Sequence, residues 1–129
     1  MRQTRVVPLF LAMLAVHFAH VLEEGWAVFL LVLVFGQPLF YIINALLYCL
    51  VLMLFYFVLA ERRWAYVVSA IYAAFMGFQG TAHTALTLVT RSYFYGFDGL
   101  MTGLPLLVVS VPLVYYLVKE VRGVPRTQR

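Results

Sequence analysis

Charge is scarce in this chain, and cysteine is nearly absent. Asp, Glu, Lys and Arg make up 11% of its 129 residues, where soluble domains carry about 25%. A single cysteine, Cys49, excludes an intrachain disulfide scaffold and any CxxC metal or redox motif. Cys49 sits within an apolar run and reads as a small apolar residue there. Acidic residues number five against nine basic ones. No glycine pattern of the Walker or dinucleotide type is present. Repeats, linkers and low-complexity runs are also missing. Nothing beyond a few terminal arginines would suit nucleic acid, so no nucleic-acid partner is expected.

What fills the chain is apolar. Hydrophobic residues account for 65% of it, aromatics for 17%, and the mean hydropathy is +0.97. That is the composition of a polytopic membrane protein, and the length suits one transmembrane domain, 1–129. A bilayer core of about 30 Å takes about 20 apolar residues per helix. Four segments qualify, at about 6–24, 38–60, 64–90 and 99–118. The first begins Met1-Arg2-Gln3-Thr4-Arg5 but lacks a small-residue cleavage pattern, so it reads as a retained helix. Between the first two, residues 25–36 are too few to span. Gly25 and Gly36 bracket them, and Trp26 suits an interface. They are expected to form a short interfacial or re-entrant segment. The fold class is therefore all-α: a four-helix transmembrane bundle with that short segment after its first helix.

With four spans, one side of the membrane receives Arg2, Arg5, Arg62, Arg63, Lys119, Arg122, Arg126 and Arg129, and the other receives Arg91 alone. The positive-inside rule then predicts cytoplasmic termini. The basic tail from Arg122 to Arg129 is expected to rest near anionic lipid.

Against this background, His20-Val21-Leu22-Glu23-Glu24 stands out. Each ionisable group costs about 2.5 to 3.5 kcal/mol at the centre of a membrane helix, so such groups face partners in the protein interior. On a helix, His17, His20, Glu23 and Glu24 fall within roughly 120° of one another. Depth counting places His20, His83, Asn44 and Thr102, from four separate spans, in one layer of the outer half of the bundle. Gln79 precedes His83 by one turn, and Ala73, Gly77 and Gly80 make that third span narrow enough for close helix approach. The outer loop holds Arg91 and Asp98, a candidate surface pair, and the aromatics Tyr93, Phe94, Tyr95 and Phe97, which suit membrane-belt packing or the cover of a flat apolar substrate.

The sequence His20-Val21-Leu22-Glu23-Glu24, the later His83 and the segment Tyr95-Gly96-Phe97-Asp98-Gly99-Leu100-Met101-Thr102 resemble the HXXEE family of small integral membrane proteins. Members tend to carry Pro-Gly in the second region, and Phe97-Asp98-Gly99 departs from that. The resemblance implies a four-helix membrane fold and a site built on the motif. It implies no activity.

The leading expectation is a divalent transition metal, Zn first and Fe or Mn next, held by His20, Glu23, Glu24 and His83. His17, Asn44, Gln79 and Thr102 would support these ligands. With an open coordination position, Glu23 and Glu24 would be the catalytic carboxylates of an enzyme acting on a lipid or small apolar substrate. The spacing is that of neither a zincin nor a ferritin-like di-iron site. A haem between His20 and His83 ranks lower, because carboxylates adjoin both. The alternatives are a metal-free proton-coupled transporter or acid/base site, and a structural polar network fixing helix register. Membrane lipids are expected partners, and a homo-oligomer would bring two motifs together.

Overall fold

The computed structural model describes residues 5–26, 30–90 and 102–123. The outer-loop residues Arg91, Tyr93 to Phe97 and Asp98, the span start at 99–101 and the tail beyond Gly123 lie outside them. Five helices account for almost all of the described chain: α1 Val6–Trp26, α2 Leu30–Phe35, α3 Gln37–Leu59, α4 Arg63–Thr90 and α5 Gly103–Gly123. Among the described residues there is no strand.

Four helices are long and form the bundle. Three of them, α1, α3 and α5, are long and apolar enough to cross a membrane. The fourth expected span, α4, exceeds them in length at 28 residues, about 42 Å of helix, but its composition is more polar. Its threonines are accommodated locally. Thr81 donates to the Gly77 carbonyl, Thr84 to Gly80 and Thr87 to His83. The outward face of α4 remains apolar, with Trp64, Val67, Ile71, Phe75 and Phe78 exposed at three- and four-residue intervals and Val89 about three turns beyond.

Contacts give the order of helices around the bundle. α4 packs along α5, α5 along α1, α1 along α3, and α3 along α4. Helices α1 and α4 therefore face each other across the diagonal. α1 and α5 are antiparallel: Arg5, before α1, donates to the Tyr116 hydroxyl near the end of α5 at 2.5 Å, and His20 near the end of α1 meets Thr102 at the start of α5.

Turns carry the backbone chemistry that the sequence signals. Gly36, between α2 and α3, has φ 75, a left-handed conformation that costs glycine little, and Pro38 follows in the first turn of α3. The α3–α4 turn is a Schellman motif. Arg62 N–H reaches the Phe57 carbonyl and Glu61 N–H the Val58 carbonyl, with Glu61 itself left-handed at φ 54.

The expected short segment differs in detail. Gly25 does not bend the chain; α1 runs through it to Trp26. Its bare Cα instead admits the Tyr41 ring of α3, which a Cβ would strike. Residues 27–29 lie outside the described residues. α2, six residues and about 9 Å long, is too short to cross a bilayer and packs against α3.

The interior has two zones. Where α1 starts and α5 ends, it is apolar: Val6, Phe10, Met13 and Leu14 pack with Val58, Tyr66, Ala73, Leu113 and Leu117. Where α1 and α4 end and α5 starts, it is polar, with His17, His20, Glu23, Glu24, His83, Thr87 and Thr102 all buried.

Candidate metal centre

The i, i+4 spacing of His20 and Glu24 places both side chains on the inner face of α1, one turn apart. From the diagonal helix, His83 meets them. The Glu24 Oε1 atom lies 3.4 Å from His20 Nε2 and 3.4 Å from His83 Nε2. The two imidazole rings stand edge-on, with centroids 4.6 Å apart and planes at 83°. All three residues are buried, at 2%, 4% and 6% exposure for His20, Glu24 and His83. One ligand atom from each falls within 4.8 Å of the others, so these three can hold a metal ion.

Thr102 organises the arrangement. Its hydroxyl donates to Glu23 Oε2 and lies 2.9 Å from His20 Nδ1. A hydroxyl has one proton, and a carboxylate only accepts. With Glu23 ionised, Thr102 gives its proton to Glu23 and accepts from His20, the arrangement in which His20 carries its proton on Nδ1. The Nε2 lone pair is then bare and turned toward Glu24. Among the described residues, His20 Nε2 has no hydrogen-bond partner, and neither has Glu23 Oε1. In that tautomer the 3.4 Å approach of His20 Nε2 to Glu24 sets two lone pairs against each other, a repulsion that a bound cation would relieve. Buried polar atoms are seldom left this way.

Close approach of α4 and α5 is what delivers Thr102. A Cβ on Gly80 would lie 2.5 Å from the Gly103 carbonyl oxygen and 2.8 Å from the Leu107 nitrogen, and one on Gly103 would lie 3.0 Å from His83 Cβ. The narrow stripe expected on the third span is thus in use.

Other predicted residues lie elsewhere. Glu23 is not among the three converging ligands; it is turned onto Thr102. His17, one turn down α1, pairs through Nδ1 with the Tyr72 hydroxyl at 2.8 Å. Asn44 donates to the Phe40 carbonyl of its own helix and not to the site. It lines a groove of about 370 Å³ with Phe18, Val21, Leu22, Tyr41 and Tyr48. Residues 18 and 22 lie on the side of α1 roughly opposite His20 and Glu24, with Val21 between the two sides, so this groove is separate from the centre. Gln79 is half-buried on α4 and makes no side-chain hydrogen bond among the described residues. Tyr72 was not anticipated. It precedes His83 by 11 residues, about three helical turns, so the shared face is readable from the sequence.

Removing the Thr102 hydroxyl should free the His20 tautomer and ring. Thr102→Val is expected to weaken metal binding roughly 10- to 100-fold, the usual loss for an outer partner of a histidine ligand. Thr102→Ser should retain it. Competitive titration with a fluorescent chelator reads both.

The chain matches no family model, no curated protein and no solved structure.

Proposed function

We propose that this protein is an integral membrane metalloprotein whose ion is held by His20, Glu24 and His83. The observation carrying this reading is the convergence of His20 Nε2, Glu24 Oε1 and His83 Nε2 in a buried position, with the first making no hydrogen bond among the described residues. Two ligands bonded to a tetrahedral ion at about 2.05 Å stand about 3.3 Å apart. Both separations from Glu24 are 3.4 Å, so little rearrangement is needed on two of the three edges.

Two histidines and a carboxylate suit Zn, and the same set serves Fe(II) or Mn. Three protein ligands leave a coordination position for water. A bound ion would lower the pKa of that water and supply a nucleophile, or bind a substrate oxygen. Glu23, fixed through Thr102 and with Oε1 unsatisfied, is the carboxylate left for proton transfer rather than coordination. Burial in a membrane bundle favours a lipid-phase or small apolar substrate for an enzyme of this kind. The distribution of Lys and Arg supports cytoplasmic termini, which puts the centre in the outer half of the membrane.

A register-fixing network without metal is the competing reading, favoured by the equal spacing of Glu24 from two imidazoles. Such a network would hydrogen-bond its members, and His20 Nε2 makes no hydrogen bond among the described residues, only a 3.4 Å approach to Glu24. Cobalt(II) titration of the purified protein separates the two. The metal reading predicts intense visible bands of a four-coordinate ion, saturating at one equivalent. A spectrum identical to cobalt in buffer would defeat it.

A further inference from the structure

At the end of the bundle away from the metal centre, α5 presents a second, chemically different feature. Val114, Tyr115, Val118, Lys119 and Arg122 line a hollow of about 500 Å³. Their spacing puts them on one face of the helix, where Val108 and Val111 extend the exposed apolar surface toward the membrane centre. The face is apolar for three turns and then ends in two cations. Lys119 and Arg122 are exposed and make no ion pair or hydrogen bond among the described residues. Arg5, at the same end, is by contrast engaged by Tyr116, through both its hydroxyl and its ring. Glu120 is one and two residues from the cations, spacings at which side chains on a helix do not face each other.

The dimensions fit one kind of ligand. Lys119 and Arg122 lie roughly 24 and 28 Å along α5 from Gly103, close to the far boundary of a bilayer core of about 30 Å. That is headgroup depth. Arg and Lys one turn apart recognise phosphate, Arg through a planar fork and Lys as a point charge. The surface immediately below them suits an acyl chain.

We infer that this face of α5 is a binding site for one anionic glycerophospholipid, its phosphate held by Lys119 and Arg122 and an acyl chain laid along Tyr115, Val111 and Val108. The site is independent of the metal centre and stands whether or not an ion binds there.

The test is native mass spectrometry of the full chain in detergent, titrated with phosphatidylglycerol or phosphatidylcholine. Wild type should retain phosphatidylglycerol in preference to phosphatidylcholine. Lys119→Gln/Arg122→Gln should weaken phosphatidylglycerol binding roughly 30-fold, from about 1 kcal/mol per cation at an anionic membrane surface. Arg62→Gln/Arg63→Gln removes the same charge at the same end and should leave binding within about 3-fold of wild type. Lys119→Arg/Arg122→Lys should restore binding. Equal retention of the two lipids, an unchanged Lys119→Gln/Arg122→Gln variant, or equal losses in both glutamine pairs would overturn the assignment; the last would mean diffuse attraction to the basic end. Circular dichroism on each variant confirms that the helices are intact.

Discussion

Glu24→Gln is expected to lower metal affinity by about 100-fold or more, exceeding the loss usual for an outer partner, while leaving the bundle folded. Glu24 Oε1 is the atom both histidines approach, at 3.4 Å each, so the carboxylate is the hub of the centre. Glutamine has almost the same volume, which spares the packing of a residue that is 4% exposed. It replaces an anionic ligand by a neutral amide. Two imidazoles remain, and two neutral nitrogens from opposite helices do not match the charge of a divalent ion. Chelator competition on folded protein checks the loss. Affinity equal to wild type would mean that Glu24 is not a ligand. Because imidazole must be unprotonated to bind, wild-type affinity should also fall as the pH is lowered.

Gly80→Ala is expected to cost about 3 kcal/mol or more of stability, toward the top of the range for overpacked sites. The added methyl would meet backbone on α5, the Gly103 carbonyl oxygen at 2.5 Å and the Leu107 nitrogen at 2.8 Å. Backbone cannot rotate away as a side chain can, so α4 and α5 must separate. Thr102 immediately precedes α5, its carbonyl accepting from Leu106 N–H of the first turn, and its hydroxyl bridge to His20 and Glu23 would be lost with the separation. Gly80→Ala should therefore lose both stability and metal, although the substitution touches no ligand. Phe78→Leu is the control: it changes a 71% exposed side chain on the outer face of the same helix and should stay within about 0.5 kcal/mol of wild type. Denaturation in mixed micelles, with metal content measured alongside, checks both. A normally stable Gly80→Ala protein would contradict the close helix contact.

The parts of this arrangement legible in the sequence are those fixed by a single helix. The His20–Glu24 pair follows from i, i+4 spacing, and the narrow side of α4 follows from Gly77 and Gly80. Depth counting also selected His83 and Thr102, because helices of similar rise in a slab bring equal depths together. Azimuth between helices is different: it depends on the order of helices around the bundle, which spacing within one helix does not encode. Asn44 has the right depth but lies on the α1–α3 side, where its own helix carbonyl satisfies it. Glu23 and Glu24 are adjacent in sequence and about 100° apart on a helix. One faces His83 and the other Thr102, so only one joins the two histidines. Gly25 permits a bend by its residue type alone; its use here is to admit Tyr41.

The most direct test of the central claim is metal content, by elemental mass spectrometry on gently solubilised protein beside a His20→Ala/Glu24→Ala variant. The account predicts one equivalent of a transition metal, with zinc the best fit, in wild type and none in the variant. Wild type without metal, and unable to take up zinc, iron or manganese on reconstitution, would contradict it and leave the buried His20, Glu24 and His83 as a metal-free polar network.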